Sequence, residues 1–143
     1  MPSDPDCVFC KIVAGTIPCM KVYEDEHVLA FLDIQPLADG HTMVIPKAHY
    51  QRIEEIPAEV HAAMFGALAR ASGAIREATG APSTTIGLNN GREAGQVVPH
   101  VHFHLVPRFA DDGGGSIHSI VRAATGAELE PIRARIAAAI AES

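Results

Sequence analysis

The sequence predicts one α+β domain built on a mainly antiparallel, five-stranded sheet. Three features carry that expectation: three short apolar-rich stretches before residue 47, a long helical repeat over residues 57–79, and two more strand-like stretches ending near residue 106. Strands grouped in runs, with the helices outside them, favour α+β over an alternating parallel architecture. A chain of 143 residues is long enough to bury one core and short for two.

Each element has its own signal. Cys7 to Ile17 is mixed in character and closed by Pro18. Lys21 to Glu24 and His27 to Ile34 are apolar-rich and flank Asp25-Glu26, the pattern of a hairpin with a charged turn. QPLADG at 35–40 reads as a loop, and His41 to Ile45 as a third strand ended by Pro46. From Pro57 to Thr79, Val60, Met64, Ala67, Leu68, Ala71 and Ile75 recur at helical spacing. Pro57 suits a first turn and Gly80 the position after the last. Thr84 to Leu88 is the fourth strand, NNGREAG the loop after it, and residues 96–106 the fifth strand. Phe109 to Gly115 is acidic and glycine-rich, a loop. The tail from Ile117 reads as helical, with an apolar stripe at Leu129, Ile132, Ile136 and Ile140.

Composition narrows the function classes. With 48% hydrophobic and 20% charged residues the chain belongs with ordinary globular domains. Its formal net charge of −6 argues against nucleic-acid or anionic-membrane partners, which need a basic stripe. A small phosphate-bearing ligand stays compatible, because a local site can be cationic inside an acidic protein. No apolar run approaches the ~20 residues of a membrane helix. MPSDPDCVFC lacks the basic and apolar regions of a signal peptide. Three cysteines, Cys7, Cys10 and Cys19, are an odd count and a poor disulfide framework. The expected compartment is reduced and cytoplasmic.

The segment QVVPHVHFHLV at 96–106 carries the chemistry. His100, His102 and His104 alternate with apolar residues, so strand geometry sends three imidazoles to one face and Val101, Phe103 and Leu105 to the core. Histidine is the side chain best suited to act as nucleophile, acid or metal ligand near neutral pH. His27, His61 and His118 each stand alone and read as ordinary surface histidines.

With these residues in place, the chain resembles the histidine-triad (HIT) family of nucleotide hydrolases and transferases, in its zinc-binding bacterial branch. HVHFHLV matches the family motif without a gap. CVFCKIVAGTIPCMKVYEDEHVLAFLDIQPLADGHTMVIPKAH resembles the N-terminal half, and EAGQVVPHVHFHLVPR the C-terminal motif. The likeness covers residues 7–108 of one HIT domain spanning 1–143, with 109–143 a loop and helical tail.

The resemblance implies nucleotidyl transfer at an α-phosphate. By position His102 attacks phosphorus, while the main-chain carbonyl of His100 fixes its tautomer. His104 faces the phosphate oxygens and the departing group, and His41 supports the triad. Asn89 and Gln96 match phosphate contacts, Asp33 a ribose-binding carboxylate, and Phe9, Ile12, Ile17, Phe31 and Ile34 the apolar residues around the base. One departure stands out. Where some members carry a serine or threonine that assists the leaving group, this chain has Val97.

Cys7-Val8-Phe9-Cys10 is a CxxC that suits one edge of a tetrahedral zinc site. Family members with this motif complete it with histidines at the positions of His49 and His100, giving a closed structural zinc. His100 could then serve the zinc, the triad or both. Cys19 has no partner and reads as packed.

Two substrate classes stay open, a nucleoside phosphoramidate and a dinucleoside polyphosphate. A nucleotide-binding regulatory or scaffold protein with incidental hydrolysis is the alternative from another class. A homodimer is expected on resemblance, with an apolar helix face at Met64, Leu68 and Ala71 and small residues at Ala63, Gly66 and Ala67 for close approach.

Overall fold

In the computed structural model, which describes every residue except 124, 125 and 127, the chain divides into two compact units, Met1–Asp112 and Gly113–Ser143. The first unit holds helix α1 (Val8–Val13) and strands β1 (Lys21–Glu24), β2 (Val28–Leu32) and β3 (Thr42–Pro46). Helix α2 (Ala58–Thr79), strand β4 (Ser83–Gly87) and strand β5 (Phe103–Arg108) complete it. The five strands form one sheet in the order β1-β2-β3-β5-β4, with every neighbour antiparallel. The expected α+β class and strand count hold.

Register assigns each side chain to a face. Val44 pairs with Ala30 on one side and Phe103 on the other. With Val28, Val101 and Leu105 these residues lie beneath α2, whose Val60, Met64, Ala67, Leu68 and Ile75 close the first core. Leu105 is fully buried, and side chains of this kind each contribute about 2 kcal/mol of transfer free energy. The alternate residues Leu29, Phe31, Met43 and Ile45 form a second core on the opposite face, covered by Cys7, Phe9 and Cys10 around α1. Because Met43 pairs with Phe31 and His104, residues at the same parity as these share its face. Asp33 and His41 therefore gather on the α1 side with His104. The sheet thus separates α2 from the functional side chains.

Two differences from the sequence reading have local causes. Cys7–Ile17, without an assigned element in the sequence, contains α1, closed by Lys11 N–H to the Cys7 carbonyl and followed by Gly15 at φ 76°. The fifth strand begins at Phe103 rather than at residue 96. Pro99 has no N–H to donate, His100 N–H turns back to the Val98 carbonyl, and Val101 N–H goes to Tyr50 rather than to a ladder partner. On α2, Met64, Ala67 and Leu68 are buried against their own sheet. The large hydrophobic residue of that helix that is exposed is Phe65, 75% accessible.

In the second unit, α3 (Leu129–Glu142) bears the expected stripe of Leu129, Ile132, Ile136 and Ile140. Among the described residues no helix is long and apolar enough to cross a membrane.

Candidate active site

His102 sits at the centre of a row of rings. Its imidazole meets that of His104 at 5.1 Å between centroids, and Phe9 stands edge-on to both His102 and His100. The His102 ring is 7% exposed. Its Nδ1 lies 2.7 Å from the His100 carbonyl, an acceptor, so Nδ1 carries the proton and Nε2 keeps the lone pair.

The same bookkeeping of donors fixes the ring on one side. Leu37 N–H donates to His41 Nδ1, so the proton of His41 is on Nε2, which donates to His104 Nδ1 at 2.9 Å. A neutral His104 therefore carries its own proton on Nε2, the nitrogen left outside this chain. Asp33 Oδ2 lies 3.6 Å from His41 Nε2, and its Oδ1 accepts Gln35 N–H. Burial, opposed by Asp33, holds the His41 pKa below its ordinary value. Burial does the same for His104, with the neighbouring His102 and His41 adding to it.

On the other side His100 Nε2–H donates to the Pro46 carbonyl at 2.8 Å, which turns the Nδ1 lone pair toward sulfur. Nδ1 lies 3.5 Å from Cys7 Sγ and 3.7 Å from Cys10 Sγ, and His49 Nδ1 lies 3.4 Å from Cys10 Sγ. A tetrahedral zinc with ordinary bond lengths separates its nitrogen and sulfur ligands by about 3.6 Å. All four ligand atoms lie within 4.8 Å of one another, so the donor set fits that ion. Four protein ligands leave no open position, the pattern of a structural metal. Burial pushes the Cys7 thiol up, and a bound cation would reverse that by stabilising the thiolate. Asp4 stands 3.9 Å behind His49 Nε2. His100 thus belongs to both sets, through its ring to the cysteines and through its carbonyl to His102.

The remaining expected site residues are distributed unevenly. Phe9 and Phe31 pack edge to face at 5.8 Å, and Ile12 joins them at the second core. Ile12 and Ile17 also line a hollow of about 190 Å³ beside Cys19 and Leu29. Ile34 is 89% exposed just beyond β2. The Asn89 carboxamide lies next to Gly95. Gln96 is the most committed: its Oε1 accepts Gly91 N–H, and its Nε2 donates to the carbonyls of Gln51 and Val98. Contributors without a sequence signature are main-chain groups, the Pro46 carbonyl and the Leu37 N–H, since any residue type supplies them. Of the three solitary histidines, His61 is bonded locally to the Ile56 carbonyl and His118 contacts Ser116 within its own turn.

The HIT domain family model matches residues 14–111. Adenylylsulfatase HINT3 of Arabidopsis thaliana is 50% identical over 103 residues, 72% of this chain and 52% of that protein, so the match spans about half of its length. Adenosine 5′-monophosphoramidase hnt1 of Schizosaccharomyces pombe is 43% identical over 108 residues, covering 76% of this chain and 78% of that one. Among solved structures, a HIT family protein from Bacillus anthracis superposes with a TM-score of 0.83 at 39% identity, covering 98% of both chains. A zinc-bound histidine triad family protein from Mycobacterium smegmatis gives 0.71 at 36% identity, covering 96% of this chain and 98% of that one. The chain is a member of the HIT domain family.

Proposed function

We propose that this chain cleaves a nucleoside 5′-monophosphate, preferably a purine one, from a substituent on its α-phosphate, through a nucleotide held covalently on His102. The observation that carries this reading is the 2.7 Å bond from His102 Nδ1–H to the His100 carbonyl, which leaves Nε2 as a neutral lone pair. Attack by Nε2 forms a nitrogen–phosphorus bond, and the bond from phosphorus to the substituent breaks, its electron pair departing with the substituent. The ring becomes cationic as it bonds, and the His100 carbonyl is already aligned with the Nδ1–H it must stabilise. Water then attacks phosphorus, loses a proton to solvent and releases the nucleotide, restoring the lone pair.

His104 presents Nε2–H to a phosphate oxygen or to the departing atom. His41 acts as a positioning residue that keeps that proton outward. Asn89 adds an amide donor, and Gln96 adds one by exchanging an Nε2 contact or else holds the loop in shape. Asp33 takes the ribose hydroxyls, with Phe9, Ile12, Ile17, Phe31 and Ile34 about the base. Cys7, Cys10, His49 and His100 would hold a structural zinc, and through His100 that site would fix the start of the histidine segment. Two thiolate ligands suit a reducing compartment, so we place the protein in the cytoplasm, as one HIT domain.

The functional unit in this reading is a two-fold homodimer. The face that supports it includes Met64 and Leu68 of α2. Phe65, Ile53 and Ile86 are exposed around a hollow of about 600 Å³ that includes Phe103. Strand β4, which carries Ile86, is an unpaired sheet edge.

The relatives' names describe two leaving groups, sulfate for the Arabidopsis protein and an amine for the fission-yeast one. Turnover of adenylyl sulfate, adenosine phosphoramidate and diadenosine polyphosphates, with acid-quench trapping of a nucleotidyl adduct, tests the proposal. An adduct in wild type and none in His102→Ala is the expected result. Nucleotide binding without turnover of any substrate would instead leave a regulatory binding protein.

A further inference from the structure

A cavity of about 580 Å³ lies outside the row of rings, walled by Arg52, Gly91, Arg92, Gly95, Gln96 and Val97. Resting on the enzyme reading above, we propose that this cavity is a subsite for an anionic leaving group, with Arg52 and Arg92 as its specificity-determining cations, so that phosphate- and sulfate-terminated substrates are preferred over amines.

The charge of the lining points this way. In a chain of net charge −6, the cavity wall contains two guanidinium groups and no carboxylate. Among the described residues neither arginine forms an ion pair. Arg52 helps to keep the Glu54 carboxylate ionised, but Glu54 forms its hydrogen bond with Asn90. Glu55 is likewise committed, accepting Gln51 N–H. Glu93 neighbours Arg92 in sequence but is not part of the wall.

Loop geometry places those cations beside the phosphate contacts. Gly91 and Gly95 both hold positive φ, 112° and 96°. A Cβ on Gly91 would stand 3.3–3.5 Å from the Arg52 guanidinium, so the glycine lets backbone and cation approach closely. A Cβ on Gly95 would stand 3.7 Å from the Asn89 carboxamide, joining the wall to the residue assigned to the phosphate. The three bonds of the Gln96 carboxamide, to Gly91, Gln51 and Val98, tie the loop to the Arg52 segment. Arg92 therefore sits on a loop braced against the segment that carries Arg52.

The chemistry follows from what the wall lacks. It offers no hydroxyl and no acid, and Val97 is 89% exposed with an apolar side chain. An amine must gain a proton as it departs, whereas a phosphate or sulfate leaves as a stable anion and needs only positive charge to receive it.

Two measurements test this. The first is kcat/KM for adenylyl sulfate against adenosine phosphoramidate in wild type and in the double variant Arg52→Gln/Arg92→Gln. The ratio should shift toward the phosphoramidate by about tenfold or more, the size expected for losing charge-assisted bonds. An unchanged ratio overturns the proposal while leaving the enzyme reading intact. The second is calorimetric binding of pyrophosphate to wild type saturated with AMP. Pyrophosphate should bind alongside AMP and lose at least about tenfold in affinity in the double variant. Because this readout needs no turnover, binding in a protein that cleaves nothing would keep the subsite and reject the enzyme reading. Failure to bind beside AMP would reject the subsite.

Discussion

The two ends of the histidine row use similar side chains for different purposes. At one end Cys7, Cys10, His49 and His100 converge, and at the other Asp33, His41 and His104, and each set brings its ligand atoms within 4.8 Å. What separates them is where the protons are. At the cysteine end the one ring proton fixed by a hydrogen bond points outward, from His100 to the Pro46 carbonyl, leaving the inner nitrogen facing sulfur. At the other end Leu37 N–H occupies one nitrogen of His41, and a proton lies between His41 and His104 at 2.9 Å. One cluster is arranged to hold a cation, the other to hold and orient a proton. Composition alone does not distinguish a metal site from a hydrogen-bond relay; the outer partners do.

The largest effect should come from the residue both ends serve. His102→Ala is expected to lower kcat by at least about a thousandfold while AMP still binds and zinc content stays unchanged, read by steady-state kinetics and elemental analysis. Loss of metal in this variant would mean that the two ends are not separable.

Next in size is the relay. His41→Ala should reduce kcat by about a hundredfold, with KM and zinc content little changed, because His104 loses the partner that fixes its proton. His41→Asn, whose amide can still donate toward His104, should recover part of that loss and shift the pH–rate profile. A variant whose kcat stays at the wild-type level would show that the relay is packing only.

The cysteine end should respond the other way round. Cys10→Ser is expected to lose most of the zinc and to lower Tm by about 10 °C, with a smaller fall in kcat than His41→Ala. Full stability at zero metal content would remove the structural role proposed for zinc.

The smallest effect is on pH dependence. Burial lowers the pKa of His41 and His104 from 6.5, so the unfolded chain binds these protons first as pH falls. Their contribution makes stability decline on acidification below about pH 6.5 and level off once the folded rings are also protonated. Denaturant unfolding at pH 7.5 and 5.5 should show a shallower decline for His41→Asn than for wild type, at equal zinc content. An identical decline would place the acid sensitivity elsewhere.

Much of this was legible in the sequence because it depends on local periodicity. Apolar recurrence marked α2, alternation marked the strands and the row His100, His102 and His104, and spacing marked the Cys7–Cys10 pair, while His49 as a fourth ligand came only with the family resemblance. Those signals survive because helical and strand geometry repeat at 3.6 and 2 residues whatever surrounds them. Tertiary structure decided the rest. Pro99 and the Val101–Tyr50 bond set where the last strand begins, and packing against the sheet turned Met64 and Leu68 inward and left Phe65 in solvent. The ring tautomers depend on Leu37 N–H and the Pro46 and His100 carbonyls, and Arg52 meets the loop at Gly91 across 39 residues of chain. Main-chain donors and acceptors are common to nearly every residue type, and a cavity wall is assembled from distant segments, so neither leaves a pattern along the sequence.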